Sequence, residues 1–191
     1  MEVPTLRWVL EMTEHPQSMG EIRDVKGLSL KAAGPADVGT YMGLYRLFER
    51  KHLWTERVEW GAEEFRTVLD TPEKRIWIAS VEGQSAGFVE VTGVSNGNIW
   101  ITYLGVLPEF RGRGIGRYLL RYAVDWAWRL EPPALKVCTS SYDGARAVQN
   151  YLSRGFCVCK VRARMKKIPL KLKPNVPEAI ARTKALGSYP G

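Results

Sequence analysis

Apolar positions recur along this chain at two spacings, and each switch between them marks an element. Leu28, Leu30 and Ala32 alternate with other residues and predict a strand over 28–33. The turn Gly34-Pro35-Ala36-Asp37 can open a helix, and Tyr41, Leu44, Tyr45, Leu47 and Phe48 then give that helix one apolar face. Residues 59–69 read as a second helix, with Trp60, Phe65, Val68 and Leu69 inward and Pro72 ending it. Strands over 76–81 and 86–91 flank the turn Glu82-Gly83-Gln84 and predict a hairpin. After Ser95-Asn96-Gly97-Asn98 comes a strand over 99–106, then a helix over 114–129 carrying Ile115, Leu119, Tyr122, Ala123 and Trp126. Pro132 and Pro133 break the chain before a strand at 135–139, a helix at 144–153 and a strand at 156–168.

The two ends fit this pattern less well. Leu6 to Met12 suits a short helix or a strand equally. Residues 1–26 are set apart as an N-terminal extension, 27–168 as one domain and 169–191 as a C-terminal tail, where Val176 to Leu186 predicts a short helix.

The most specific chemistry lies between the strand at 99–106 and the helix after it. Arg111-Gly112-Arg113-Gly114-Ile115-Gly116 alternates glycine with basic or apolar residues at a helix start. Glycines let backbone N–H groups converge on one point, and a helix N-terminus favours negative charge there. This is the chemistry of a pyrophosphate cradle. No Gly-Lys-Ser/Thr follows, so it is not a Walker loop, and GxGxG is not the dinucleotide spacing GxGxxG. A second cluster runs from Asp143 through Ala147 and Tyr151 to Gly155 and Phe156. Asp143 can cap a helix starting at Gly144, Ala147 and Tyr151 share its face, and Gly155 suits a left-handed C-cap.

Arg111-x-x-Gly114-x-Gly116 after Leu104-Gly105-Val106, followed by Tyr151-x-x-x-Gly155-Phe156, resembles motifs A and B of the GNAT acetyltransferase superfamily. The likeness covers about residues 28–168. It implies an α/β (α+β) fold, with a mixed, mostly antiparallel sheet of six or seven strands flanked by helices; the seventh strand is either missing, replaced by the N-terminal extension, or supplied by a partner subunit. It implies acetyl-CoA as cosubstrate and direct transfer of an acetyl group to a primary amine. Leu104, Gly105 and Val106 would meet the pantetheine arm, and Arg111, Gly112, Arg113, Gly114, Ile115 and Gly116 the pyrophosphate. Tyr151 would be the general acid. The family often has Asn where Gly144 stands, and the strand at 99–106 has no Glu to serve as base. Glu90 and Tyr103 are the nearest alternatives, with a water chain equal to either. Glu90 equally suits a solvent-facing strand position, and His52 a surface one. Trp54, Glu56 and Glu59 border the acceptor region by the same likeness.

Composition narrows the partners. The 191 residues carry a net charge of +8, divided as −4 over residues 1–100 and +12 over 101–191. The acidic half, with Glu49, Glu56, Glu59, Glu63 and Glu64, suits a cationic amine on a small molecule or peptide. Lys160, Arg162, Arg164 and Lys166 form one face of the last strand. No aromatic residues interleave them, which favours a charge-protected edge over a nucleic-acid surface. Cys157, Cys159, Val161, Ala163 and Met165 take its other face, and all three cysteines, with Cys138, read as reduced, buried thiols of a cytoplasmic protein. His15 and His52 stand alone, so no metal site is expected. No apolar run approaches the ~20 residues of a membrane span, and a homodimer is left open. Two rival readings are a CoA-binding regulatory module without turnover and a basic RNA-associated protein on the same scaffold.

Overall fold

The computed structural model describes residues 1–17, 19, 25–93, 97–143 and 146–176. Seven strands form one sheet: β1 (Glu2–Met12), β2 (Leu28–Ala32), β3 (Lys74–Val81), β4 (Gln84–Gly93), β5 (Ile99–Val106), β6 (Leu135–Ser140) and β7 (Cys157–Lys167). The four α-helices are α1 (Val38–His52), α2 (Ala62–Asp70), α3 (Ile115–Trp128) and α4 (Ala147–Leu152). The strand order is β2-β3-β4-β5-β6-β1-β7. The chain divides into two units, and the division falls within β6.

One unit holds residues 12–44 and 60–137. Its strands β2, β3, β4 and β5 pair antiparallel, and the start of β6 joins β5 in parallel. Both faces are covered, as expected for strands whose apolar residues run consecutively. Tyr41 of α1 meets Phe88 of β4 at 5.3 Å and Phe65 of α2 at 5.4 Å, ring edge to ring face. On the opposite face Trp77 of β3 meets Tyr122 and Trp126 of α3, both at 5.2 Å. Such aromatic pairs add about 0.5–1.5 kcal/mol beyond the area they bury.

The other unit holds residues 1–11, 45–59 and 138–191. Its centre is the antiparallel pair β1–β7. Val3, Leu53, Val58, Tyr142, Ile168, Leu172 and Val176 form its buried cluster. Tyr142 donates its hydroxyl to the carbonyl of Pro4, and Ser141 N–H reaches Leu6 O at 2.9 Å.

The ends of the chain settle two open points. Residues 2–12, expected to precede the domain, are a strand inside the sheet. Alternating Val3 and Thr5 are buried on one face, so burial selects the strand over the helix that the local pattern also allowed. The N-terminal segment thus supplies the seventh strand. After β7 the chain makes a 3-10 turn, Leu170–Asn175. The helix expected over 176–186 lies outside the described residues, apart from Val176.

The cysteines are corrected as well. Cys157 and Cys159 are exposed and Cys138 is half-buried. The cause is the position of β7 at the sheet edge, where every residue from Cys157 to Met165 is exposed. A register shift opposite Val9/Leu10 also breaks the expected alternation. Cys157 pairs with Glu11 on the face of Arg7, while Val161, Ala163 and Met165 pair with Trp8, Leu6 and Pro4 on the other. Among the described helices none is long and apolar enough to cross a membrane.

Candidate active site

The cofactor candidates lie in the unit built on β2–β5. Gly114 is the N-cap of α3 at φ 89°, and Gly112 has φ 80°. As a glycine, this N-cap residue offers no side chain to cap the helix. Its first N–H groups therefore look to a ligand or to water for partners. Among the described residues a Cβ at Gly114 would meet only Val25 Cγ2, at 3.7 Å, and the positive φ by itself favours glycine there. Arg111 and Arg113 are exposed. Arg111 Nε donates to Val106 O at 3.0 Å, and Arg113 lies over the Phe110 ring at 5.3 Å. These contacts hold two guanidinium groups beside an uncapped helix start, a setting that fits a pyrophosphate.

Strand β5 presents an edge next to this loop. Leu107 N–H donates to Ala86 O at 2.8 Å, on the β4 side. Backbone groups alternate sides along a strand. The groups of Leu104 and Val106 therefore face away from β4. Among the described residues β5 pairs with β6 only at Ile99–Leu135, Trp100–Lys136 and Ile101–Val137. Beyond Ile101 the outer edge of β5 carries no strand ladder and can receive an extended ligand.

Two base candidates share this unit. Glu90 and Tyr103 are direct partners across β4 and β5. Glu90 is not solvent-facing: it is fully buried. Tyr41 donates its hydroxyl to the carboxylate, and Lys74 Nζ lies 3.4 Å away. Burial of a carboxylate demands such partners.

The proton-donor candidate lies in the other unit. Tyr151 of α4 is half-buried, and its ring meets Phe156 edge to face at 5.7 Å. Lost hydration, then the negative potentials of Asp143 and Cys138, push its phenol above the ordinary tyrosine value, and Arg154 opposes them. Gly155 follows at φ 89°, as its reading as a C-cap expects.

Asp143 is not the cap of α4. That helix begins at Ala147, and Gly144 lies outside the described residues. Instead the Asp143 carboxylate turns back to the end of β6, accepting from Ser140 N–H at 2.7 Å and Thr139 Oγ1 at 2.8 Å. Trp54 Nε1 donates to its other oxygen at 3.4 Å. His52, expected at the surface, is buried, with Nδ1 3.1 Å from Tyr142 O and 4.0 Å from Asp143 Oδ1. Its ring stacks on Phe48 at 6.2 Å.

Of the expected acidic residues, Glu56, Glu59, Glu63 and Glu64 are exposed and Glu49 is buried. Glu56 pairs with Lys166 at 3.7 Å, Glu59 with Lys171 at 3.5 Å, and Glu49 is buried with Arg46 at 2.7 Å. The charge split of the sequence is partly neutralised where the basic tail meets the acidic loop. Sequence reasoning overlooked Arg7, whose Nε and Nη2 bond Cys138 Sγ at 3.2 and 2.9 Å. Its only signal was a basic residue at an inward phase of Leu6–Met12.

Comparison with known proteins bears on the fold and the family. No curated protein matches the chain. An aminoglycoside acetyltransferase from an uncultured soil metagenomic sample superposes with TM-score 0.58 at 18% identity, over 67% of this chain and 87% of that one. A GCN5-related N-acetyltransferase from Sphaerobacter thermophilus gives 0.63 at 21%, over 84% and 50%. A ribosomal-protein-alanine N-acetyltransferase from Brucella melitensis biovar Abortus 2308 gives 0.50 at 16%, over 58% and 79%. At these identities the likeness concerns the fold. The model of the acetyltransferase (GNAT) family matches residues 42–156, which span both the glycine loop and Tyr151. The chain therefore belongs to the acetyltransferase (GNAT) family, and with it to the N-acetyltransferase enzymes.

Proposed function

We propose that the protein moves an acetyl group from acetyl-CoA to a primary amine by direct attack. The observation that carries this reading is the uncapped start of α3, beside Arg111 and Arg113 and next to the open edge of β5. The residues from Arg111 to Gly116 hold the pyrophosphate. Leu104 and Val106 bond the pantetheine arm through the backbone groups that face away from β4.

The amine nitrogen attacks the thioester carbonyl, the C–S bond breaks, and the sulfur leaves with its electron pair. Tyr151 donates a proton as the thiolate forms, giving CoA thiol and an N-acetyl amine. An ordinary phenol, pKa ~10, already holds its proton more tightly than a thiol, pKa ~8.5. The raised pKa of Tyr151 keeps it protonated across the working range, so that it can donate as the C–S bond breaks and regain its proton from solvent. Glu90 is committed to Lys74 and Tyr41, so water carries the amine proton to solvent.

The test is a screen of amines that follows free thiol release from acetyl-CoA. Amine-dependent release supports the reading, and initial velocities at varied acetyl-CoA and amine should intersect, as a ternary complex requires. CoA binding without release for any amine would make the protein a binding module instead.

A further inference from the structure

Across the β1–β7 ladder Arg7 is the direct partner of Arg162. Directly opposed side chains in antiparallel strands sit ~4.5–5.5 Å apart at Cβ, and like charges there are destabilising. The next positions on the same face are Arg164, opposite Thr5, and Lys166, opposite Val3. Among the described residues Arg162 and Arg164 have no acidic partner, while Lys166 has Glu56. The fold thus gathers a cationic row beside one like-charged pair, and a bound anion would relieve the repulsion.

Two residues of this face, Arg7 and Lys166, neighbour groups that also act on the candidate proton donor. Two nitrogens of Arg7 bond Cys138 Sγ, which fixes the guanidinium against β6. Cys138 and Asp143 both lie within electrostatic reach of Tyr151. Asp143, Arg7 and Arg164 in turn lie within reach of Lys166. Burial holds Lys166 below the usual lysine value; Glu56 and Asp143 oppose this, and Arg7 and Arg164 add to it.

From this juxtaposition we infer that Arg7, Arg162 and Arg164 form a subsite for an anionic group on the acetyl acceptor, so that the substrate is an amine that also bears a carboxylate. The inference rests on the acetyl-transfer reading above and replaces the cationic acceptor expected from the sequence. Guanidinium groups suit the role because they meet a carboxylate through two parallel N–H bonds. An amino acid or an acidic peptide has the required chemistry.

The experiment compares amino acids with their C-amides as acceptors, in thiol-release assays and, without turnover, by calorimetric binding of the N-acetylated acids and amides in the presence of CoA. The wild type should prefer acid over amide by at least tenfold in both. Arg162→Gln with Arg164→Gln should bring that ratio near one while the KM for acetyl-CoA stays at its wild-type value. Acid-selective binding without turnover would keep the subsite and remove the transfer reading. Turnover with equal use of acid and amide would remove the subsite and keep transfer. A double variant that instead raises the KM for acetyl-CoA, but not for its 3′-dephospho form, would assign the arginines to the cofactor phosphate and overturn the proposal.

Discussion

Nδ1 of His52 lies 3.1 Å from the carbonyl oxygen of Tyr142. This bond ties the last residue of α1 to the turn that carries Asp143, so a helix end fixes the loop beside Tyr151. Replacing His52 by Phe keeps a ring against Phe48 but leaves a buried carbonyl without this donor. Such a loss costs about 1–3 kcal/mol. Urea unfolding of His52→Phe should show that decrease, whereas an unchanged midpoint would mean the bond is dispensable.

Gly114 offers a cleaner test of the cofactor loop. Its φ of 89° strains any residue with a Cβ. Gly83 has φ 80° in the β3–β4 hairpin turn, outside the loop. Both Gly114→Val and Gly83→Val should lose modest stability, about 1–2 kcal/mol. Only the first should lose affinity for CoA in calorimetry. Equal affinities in the two variants would place the pyrophosphate elsewhere.

Tyr151→Phe should lower kcat by about 10²–10⁴, the range for general acid catalysis, with CoA affinity nearly unchanged. A loss of a few-fold would leave the phenol as an orienting group for sulfur. Its raised pKa has a second consequence. Below the ordinary value of 10.0 the phenol is protonated both folded and unfolded. Above it the unfolded chain ionises first, so the native state binds more protons and stability falls as pH rises. The wild type should therefore lose stability above pH 10.0 more steeply than Tyr151→Phe, as denaturant titrations at several pH values would show.

The Glu90–Lys74 pair makes the last test. Glu90 is fully buried, and the Lys74 side chain is 23% exposed. Lys74→Met removes the ammonium from a buried carboxylate and should cost about 3 kcal/mol. Adding Glu90→Gln should recover part of the loss, since the uncompensated charge goes with it. If the double variant keeps catalysis at wild-type level, Glu90 is a structural anion and water is the base.

The parts of this fold that were legible in the sequence share one property: their signal is local. The strand at Ile99–Val106, the glycine loop and the face of α3 were readable because each depends on neighbours within a turn or two. Strand β1 was ambiguous because its alternation is resolved only by contacts with β7, far along the chain. Cys157 and Cys159 were misread for the same reason. An apolar run reports the wish to be buried, and only the strand order shows that β7 is an edge. Asp143 had the composition of a cap, but the end of β6 competes for its carboxylate and wins with two short bonds. The partners of Glu56 and Glu59 were hidden because Lys166 and Lys171 are distant in sequence.

The place of β1 also sets a schedule for biosynthesis. The amino group of Met1 bonds the carbonyl of Ile168, 167 residues later. Contacts at such separation slow folding, because a long loop must close before they form. On the ribosome β1 emerges well before β7 exists, and Val3, Leu10 and Met12 must wait uncovered while the intervening chain is made. Domains under synthesis are most prone to misassembly while such strands lack partners. A strand made so early is thus among the last to be secured, because its ladder waits for β7.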